Sequence, residues 1–246
     1  MAKVGARIIL VFSAVFLFPP TGTAANNCVE CHQKLLPSVN RAHDYAEWVG
    51  SRHAEKGITC EMCHGGNPAK TDVPSAHKGI LKSSSPQSPL YFNRIPETCG
   101  RCHSAELAEF KKSYHYRELQ RTGQGPNCVT CHGAMAARIP EPAQLKETCS
   151  VCHKERPVAD EALVTLNLAN QAVENLDKAV DVARKAGKEA GPAGNAQKTL
   201  QNRLSKLKTG WHSFILAPLA KEARQIADAA REEEERLRLT TGTEGK

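Results

Sequence analysis

Residues 28–32 read Cys-Val-Glu-Cys-His, and the same Cys-x-x-Cys-His spacing returns at Cys60/Cys63/His64, Cys99/Cys102/His103, Cys128/Cys131/His132 and Cys149/Cys152/His153. These copies use all ten cysteines of the chain. The spacing is the attachment signature of a c-type haem: two thiols add across the vinyl groups, and the histidine that follows gives the iron its proximal nitrogen. Structural zinc would require the cysteine pairs to join two by two into four-ligand sites, which an odd number of pairs does not allow. A disulfide framework leaves the histidines unexplained. A thioredoxin-type dithiol belongs to an alternating strand and helix pattern that this sequence lacks. The sequence therefore predicts five haem c groups as cofactors. Cys28, Cys31, Cys60, Cys63, Cys99, Cys102, Cys128, Cys131, Cys149 and Cys152 are their attachment points, and His32, His64, His103, His132 and His153 are the proximal iron ligands.

Residues 28–153 leave about 25 residues to each motif, too few to build an ordinary side-chain core besides. Aromatics are only 5 % of the chain. The macrocycles must then supply the buried apolar area that offsets chain entropy, and the chain without them is not expected to fold. The expected class is mainly α with extensive coil, wrapped around a haem core. The formal charge of +7 is no sign of nucleic-acid binding, because ten propionates would cancel much of it. Charge around haem edges is better read as steering redox protein partners.

Outward from the motifs, the first residues read as an export signal. Lys3 and Arg7 precede an apolar run from Ile8 to Phe18, Pro19 and Pro20 break it, and small residues allow cleavage near Ala24 or Ala25. The run is shorter than the roughly 20 residues that span a bilayer. A periplasmic protein without a stable membrane span is expected, in keeping with haem attachment outside the cytoplasm. The divisions are residues 1–25 as signal, 26–157 as the pentahaem region, 158–240 as a helical hairpin and 241–246 as a disordered tail.

The haem region contains a duplication. Trp48-x-x-Ser51-x-His53 precedes the second motif, and Phe110-x-x-Ser113-x-His115 precedes the fourth. Glu-Thr stands directly before both Cys99 and Cys149. Residues 67–96, with several prolines and Ser83-Ser84-Ser85, read as an extended linker. After Pro157 the pattern turns helical. Asp160 is the expected N-cap. Leu163, Leu166, Ala169, Ala172, Val173, Leu176, Val180 and Ala183 form one stripe. Leu200, Leu204, Leu207, Trp211, Ile215, Leu219, Ala223, Ile226 and Ala230 form a second, on one long helix bent near Gly210 or Pro218. The two make an antiparallel hairpin that covers the haem core or, alternatively, mediates a homo-oligomer.

Of ten histidines, five lie outside the motifs: His43, His53, His77, His115 and His212. One spare histidine per iron suits a second axial ligand, giving low-spin iron that carries electrons without binding substrate. His53 and His115 are the leading distal ligands because the duplication carries both, and His77, His212 and His43 complete the set. Met135, three residues after His132, is a competing ligand or a ring contact, and Met62 is a weaker one.

Trp48-x-x-Ser51-x-His53 ahead of Cys60-x-x-Cys63-His64-Gly65, with His77 beyond and helices after the last motif, resembles the multihaem cytochromes c related to cytochrome c-554, hydroxylamine oxidoreductase and the ammonia-forming nitrite reductases. The resemblance implies parallel and perpendicular haem neighbours, mostly bis-histidine ligated. The nitrite reductases carry a lysine in place of one motif histidine, and no motif here does. Tyr45, Tyr91, Tyr114 and Tyr116 lack the context of the cross-linked tyrosine of hydroxylamine oxidoreductases. An electron carrier with no catalytic residue is thus expected. The alternatives are a multihaem oxidoreductase with one open haem acting on a small nitrogen or sulfur compound, and the haem subunit of a larger complex or conductive filament.

Overall fold

The computed structural model describes residues 26–35, 45–188 and 190–242. The expected export signal, His43 and the last four residues lie outside them. The described residues form helices joined by turns, without strands. Ten short helices carry the motif region: α1 (Asn27–His32), α2 (Tyr45–Val49), α3 (Arg52–Glu55), α4 (Glu61–His64), α5 (Val73–Ala76), α6 (Ile95–Gly100), α7 (Ser104–Phe110), α8 (Tyr114–Thr122), α9 (Cys128–His132) and α10 (Pro142–Ser150). Three long helices follow: α11 (Pro157–Lys185), α12 (Gly191–Gly210) and α13 (Leu216–Thr241).

The long helices follow from their apolar stripes. All eight stripe positions of α11 are buried. Its cap is Arg156 rather than Asp160; Pro157 enters the first turn, where a missing N–H costs nothing. Asp160 instead pairs with Arg156 at 3.3 Å. Gly191, Pro192 and Gly194 belong to the first turn of α12, and the reversal lies just before them.

The second stripe divides into two helices. A 3-10 turn at Trp211–Ser213 and Phe214 at φ 54° interrupt it, so Ile215 is exposed instead of buried. The hairpin gains a third arm. Arg224 pairs with Glu161 at 2.9 Å, and Lys188 reaches the carbonyl of Thr241, so α13 runs beside α11 in the same direction. The helix that joins them in the chain, α12, runs the opposite way, tied by Gln201 to Asp177 at 3.0 Å and Arg203 to Glu222 at 3.0 Å.

The contiguous apolar core lies wholly within residues 166–237. Among the described residues before Pro157 the buried apolar side chains are few, chiefly Ile95, Phe110, Leu119 and Ala136. The long helices thus have a core of their own, and the motif region has little. This predicts a split outcome when all ten cysteines are changed to Ala. Helical circular dichroism from residues 157–242 should persist, while a protease removes residues 26–156 and leaves a C-terminal fragment. Full protection of the whole chain would contradict this, and so would complete loss of helix.

The segment 67–96, expected as an extended linker, folds into turns. Asp72 caps α5 through a 2.9 Å bond from the Ser75 amide, and Ser88 is buried, its hydroxyl accepting from the Leu90 amide at 3.2 Å. The segment thereby returns His77 towards the first motif.

Candidate functional site

In a helical turn, positions i, i+3 and i+4 share one face, and each motif uses that register. The first, second and fourth motifs ride on α1, α4 and α9, each ending on its histidine. The third and fifth, the two preceded by Glu-Thr, straddle the ends of α6 and α10. There the His103 and His153 amides donate to the Cys99 and Cys149 carbonyls at 2.9 Å. Both thiols and the imidazole of a motif thus point to one side. None of the ten cysteines forms a disulfide. Among the described residues no three His, Cys, Asp or Glu side chains gather as a site for a bare metal ion.

Successive motifs are stitched together. The Asn26 side chain caps α1 by accepting from the Cys28 amide at 3.1 Å and donates to Glu61 at 2.9 Å, linking the first motif to the second. Arg101 donates to the Met62 carbonyl at 2.7 Å, linking the second to the third. The Cys99 and Cys128 thiols share a hydrogen bond that holds Cys128 up and Cys99 down from the ordinary thiol range. Burial, and then the neighbouring Cys149, push Cys131 up to about 11. The attachment points therefore form a continuous series in chain order.

Four spare histidines each face a motif histidine. Ring centres lie 6.2 Å apart for His32 and His77, 6.0 Å for His53 and His103, 5.9 Å for His115 and His153, and 5.9 Å for His132 and His212. An imidazole nitrogen binds a metal at about 2 Å, so two rings on opposite sides of one metal have centres roughly 6 Å apart. The arrangement fits an iron between each pair. His132 and His212 are nearly parallel at 12°, and the other pairs are tilted by 48–54°.

Hydrogen bonds orient several of these rings. Nδ1 lies 2.9 Å from the Val73 carbonyl in His77, 2.7 Å from the Arg138 carbonyl in His132, and 3.0 Å from the Thr209 carbonyl in His212. Nδ1–H donation to a carbonyl leaves Nε2 with its lone pair free for a metal. The loop after His132 folds back for this purpose through Ala137 at φ 40°, and the Arg138 amide donates to the His132 carbonyl at 2.8 Å. Burial first, and then the facing histidine, lower the pKa of His53 and His115. Burial likewise lowers that of His132.

The duplication now has a physical meaning. Ser51 and Ser113 are buried N-caps whose hydroxyls accept from the Ala54 and Tyr116 amides at 3.2 and 3.0 Å. His53 and His115 therefore both stand at the second position of a short helix. The aromatic three residues before each serine anchors it. Trp48 donates to the Ile58 carbonyl at 3.0 Å. Phe110 is buried against Tyr116 with ring centres 5.6 Å apart. The Tyr116 hydroxyl, pushed up to about 12 by burial and its bond to Glu97, donates to that carboxylate at 2.6 Å.

Two contributors carried no signal in the sequence. Phe214 packs edge-on against His115 with ring centres 4.5 Å apart. Glu106 accepts from the Thr209 hydroxyl at 3.0 Å, beside the carbonyl that orients His212. Burial opposes ionisation of Glu106, but its own backbone bond, the Thr209 hydroxyl and then the neighbouring His103 and His212 hold its carboxyl below the usual range. His212 faces His132, and Met62 is exposed. His43 lies outside the described residues.

Residues 85–154, which hold the third to fifth motifs, match the family described as cytochrome c7 and related cytochrome c. A C-type polyheme cytochrome, OmcC, of Geobacter sulfurreducens is 26 % identical over 89 residues, covering 36 % of this chain and 11 % of that one. A probable nitrite reductase-hydroxylamine oxidoreductase fusion protein of Kuenenia stuttgartiensis is 22 % identical over 188 residues, covering 52 % of this chain and 19 % of that one. The chain thus spans less than a fifth of the length of either relative. No solved structure matches it. The match across three motifs and the similarity to these two proteins are consistent with a multihaem cytochrome c.

Proposed function

We propose that the chain is an exported electron carrier holding five haem c groups, each with histidine on both axial positions. The single observation that carries this reading is the facing of four motif histidines by four spare ones at 5.9–6.2 Å. His43 and His64 complete the count of one spare histidine for each motif histidine. Bound haem supplies a one-electron ferric–ferrous couple. The chain's cysteines would attach it, and the facing histidines would hold the iron from both sides and leave no position for a substrate. The stitched order of the motifs supports a continuous route between redox protein partners. The basic, apolar and small-residue pattern of residues 1–25 supports a periplasmic location, and no helix among the described residues is long and apolar enough to cross a membrane.

The test is electron paramagnetic resonance of the ferric holoprotein, with haem counted by the pyridine haemochrome assay. Five haems per chain, all low-spin, are expected. A high-spin signal worth one haem would instead favour an oxidoreductase, and nitrite, hydroxylamine and sulfite would be the compounds to try.

A further inference from the structure

The break between α12 and α13 serves two neighbouring sites. His212 stands opposite His132, and two residues later Phe214 closes on His115. The surroundings of these two sites differ in a way that bears on the iron. At the first, both rings have Nδ1 on a backbone carbonyl, at 2.7 Å for His132 and 3.0 Å for His212. The Glu106 carboxylate lies near His212, bonded to Thr209. At the second, Nδ1 of His115 is buried with no protein acceptor.

That orphan follows from position in the helix. A histidine near a helix end finds the carbonyl three or four residues back, as His77 and His212 do. His115 is the second residue of α8, and the chain before it is the extended Ser113 cap, so no helical carbonyl lies beneath it. Phe214 then presents only an aromatic ring at 4.5 Å. Phe214 holds this place in the left-handed region at φ 54°, a conformation unfavourable for a bulky residue and typically retained where the surroundings require it.

An Nδ1–H bonded to a carbonyl makes an imidazole a stronger donor to its metal, and a nearby negative charge acts in the same sense. Both stabilise the ferric state and lower the reduction potential. Burial does not separate the sites, because it is the leading influence on both His115 and His132. The charges near Cys149 are Arg156 and Asp160, which oppose each other.

We infer that the iron between His115 and His153 has a higher reduction potential than the iron between His132 and His212, and that Phe214 is a positioning residue that keeps it so by denying His115 an acceptor. Electrons reaching this end of the chain then rest at the fifth motif. The inference depends on the bis-histidine reading proposed above.

The experiment is a potentiometric titration of the ferric holoprotein, followed by paramagnetic resonance. Single variants His115→Ala and His212→Ala identify the two components by which low-spin signal each removes. The component lost in His115→Ala should be reduced at the more positive potential. Phe214→Asn, which suits a left-handed backbone and brings an amide oxygen to His115, should shift that component to a more negative potential. Phe214→Leu should leave it in place. The inference is overturned if the order of the two components is reversed, or if Asn and Leu act alike. If His115→Ala leaves every low-spin signal intact, it is the ligand reading that has failed instead.

Discussion

Changing His212 to Ala is expected to convert one haem from low-spin to high-spin and to leave the others unchanged. Three features of one turn lead to this outcome. His212 faces His132 at 5.9 Å, its Nδ1 lies 3.0 Å from the Thr209 carbonyl, and Thr209 is tied to Glu106 at 3.0 Å. Alanine removes the imidazole but keeps the turn, because neither the Thr209 carbonyl nor its hydroxyl depends on that ring. The near-parallel planes of His132 and His212, at 12°, make the lost component recognisable. Parallel imidazoles donate into the same iron d orbital and split the pair of orbitals more than rings tilted by 48–54° do. The signal that disappears should therefore be the most rhombic of the set. An unaltered spectrum would remove His212 from the ligands. A site that stays low-spin but gains a methionine–iron charge-transfer band would show Met135 moving into the empty position.

The chemistry of this chain was legible in its sequence because covalent attachment is local. Five residues suffice to write a motif, and a helical turn does the rest. The duplication exposed His53 and His115 for a similar reason: a cap and the residue two places on form a local device. The partners of these histidines were not legible. His53 passes over the second motif to face His103, and His115 passes over the fourth to face His153. Such pairings depend on how the motifs stack, which no spacing records. The break at Phe214 was hidden by a coincidence of pattern. Trp211, Ile215 and Leu219 keep the period of a helix although the backbone leaves it, and Ile215 ends exposed. Where the break matters to His132 and His115, tertiary demands override the local preference. The segment 67–96 misled for the opposite reason. Its prolines and serines are those of a linker, but they build turns that return His77 to His32.

Gly125→Ala should be the most damaging single methyl in the haem region. A Cβ at this position would stand 2.5 Å from the His115 carbonyl oxygen, 2.6 Å from the Leu119 nitrogen and 3.0 Å from the Leu119 Cα. Every one of these is backbone of α8, so no side chain can rotate away. Either the loop before α9 or α8 itself has to move. Leu119 is fully buried, and Asn127, two residues beyond Gly125, caps α9 and donates to the Phe92 carbonyl at 3.0 Å. The strain is thus confined between fixed points. Overpacking of this kind costs typically about 1–3 kcal/mol, and backbone contacts place this site at the upper end. Because α8 carries His115, the damage should also appear as partial high-spin character at the iron proposed between His115 and His153. Gly187→Ala provides the contrast. Its φ of 70° strains any side chain, but nothing lies within 4 Å of the added carbon. It should lower the thermal midpoint modestly and leave the haem spectrum untouched. A Gly125→Ala protein with wild-type midpoint and wild-type spectrum would show that α8 and the loop can separate freely, and would contradict the rigid seating of His115 argued above.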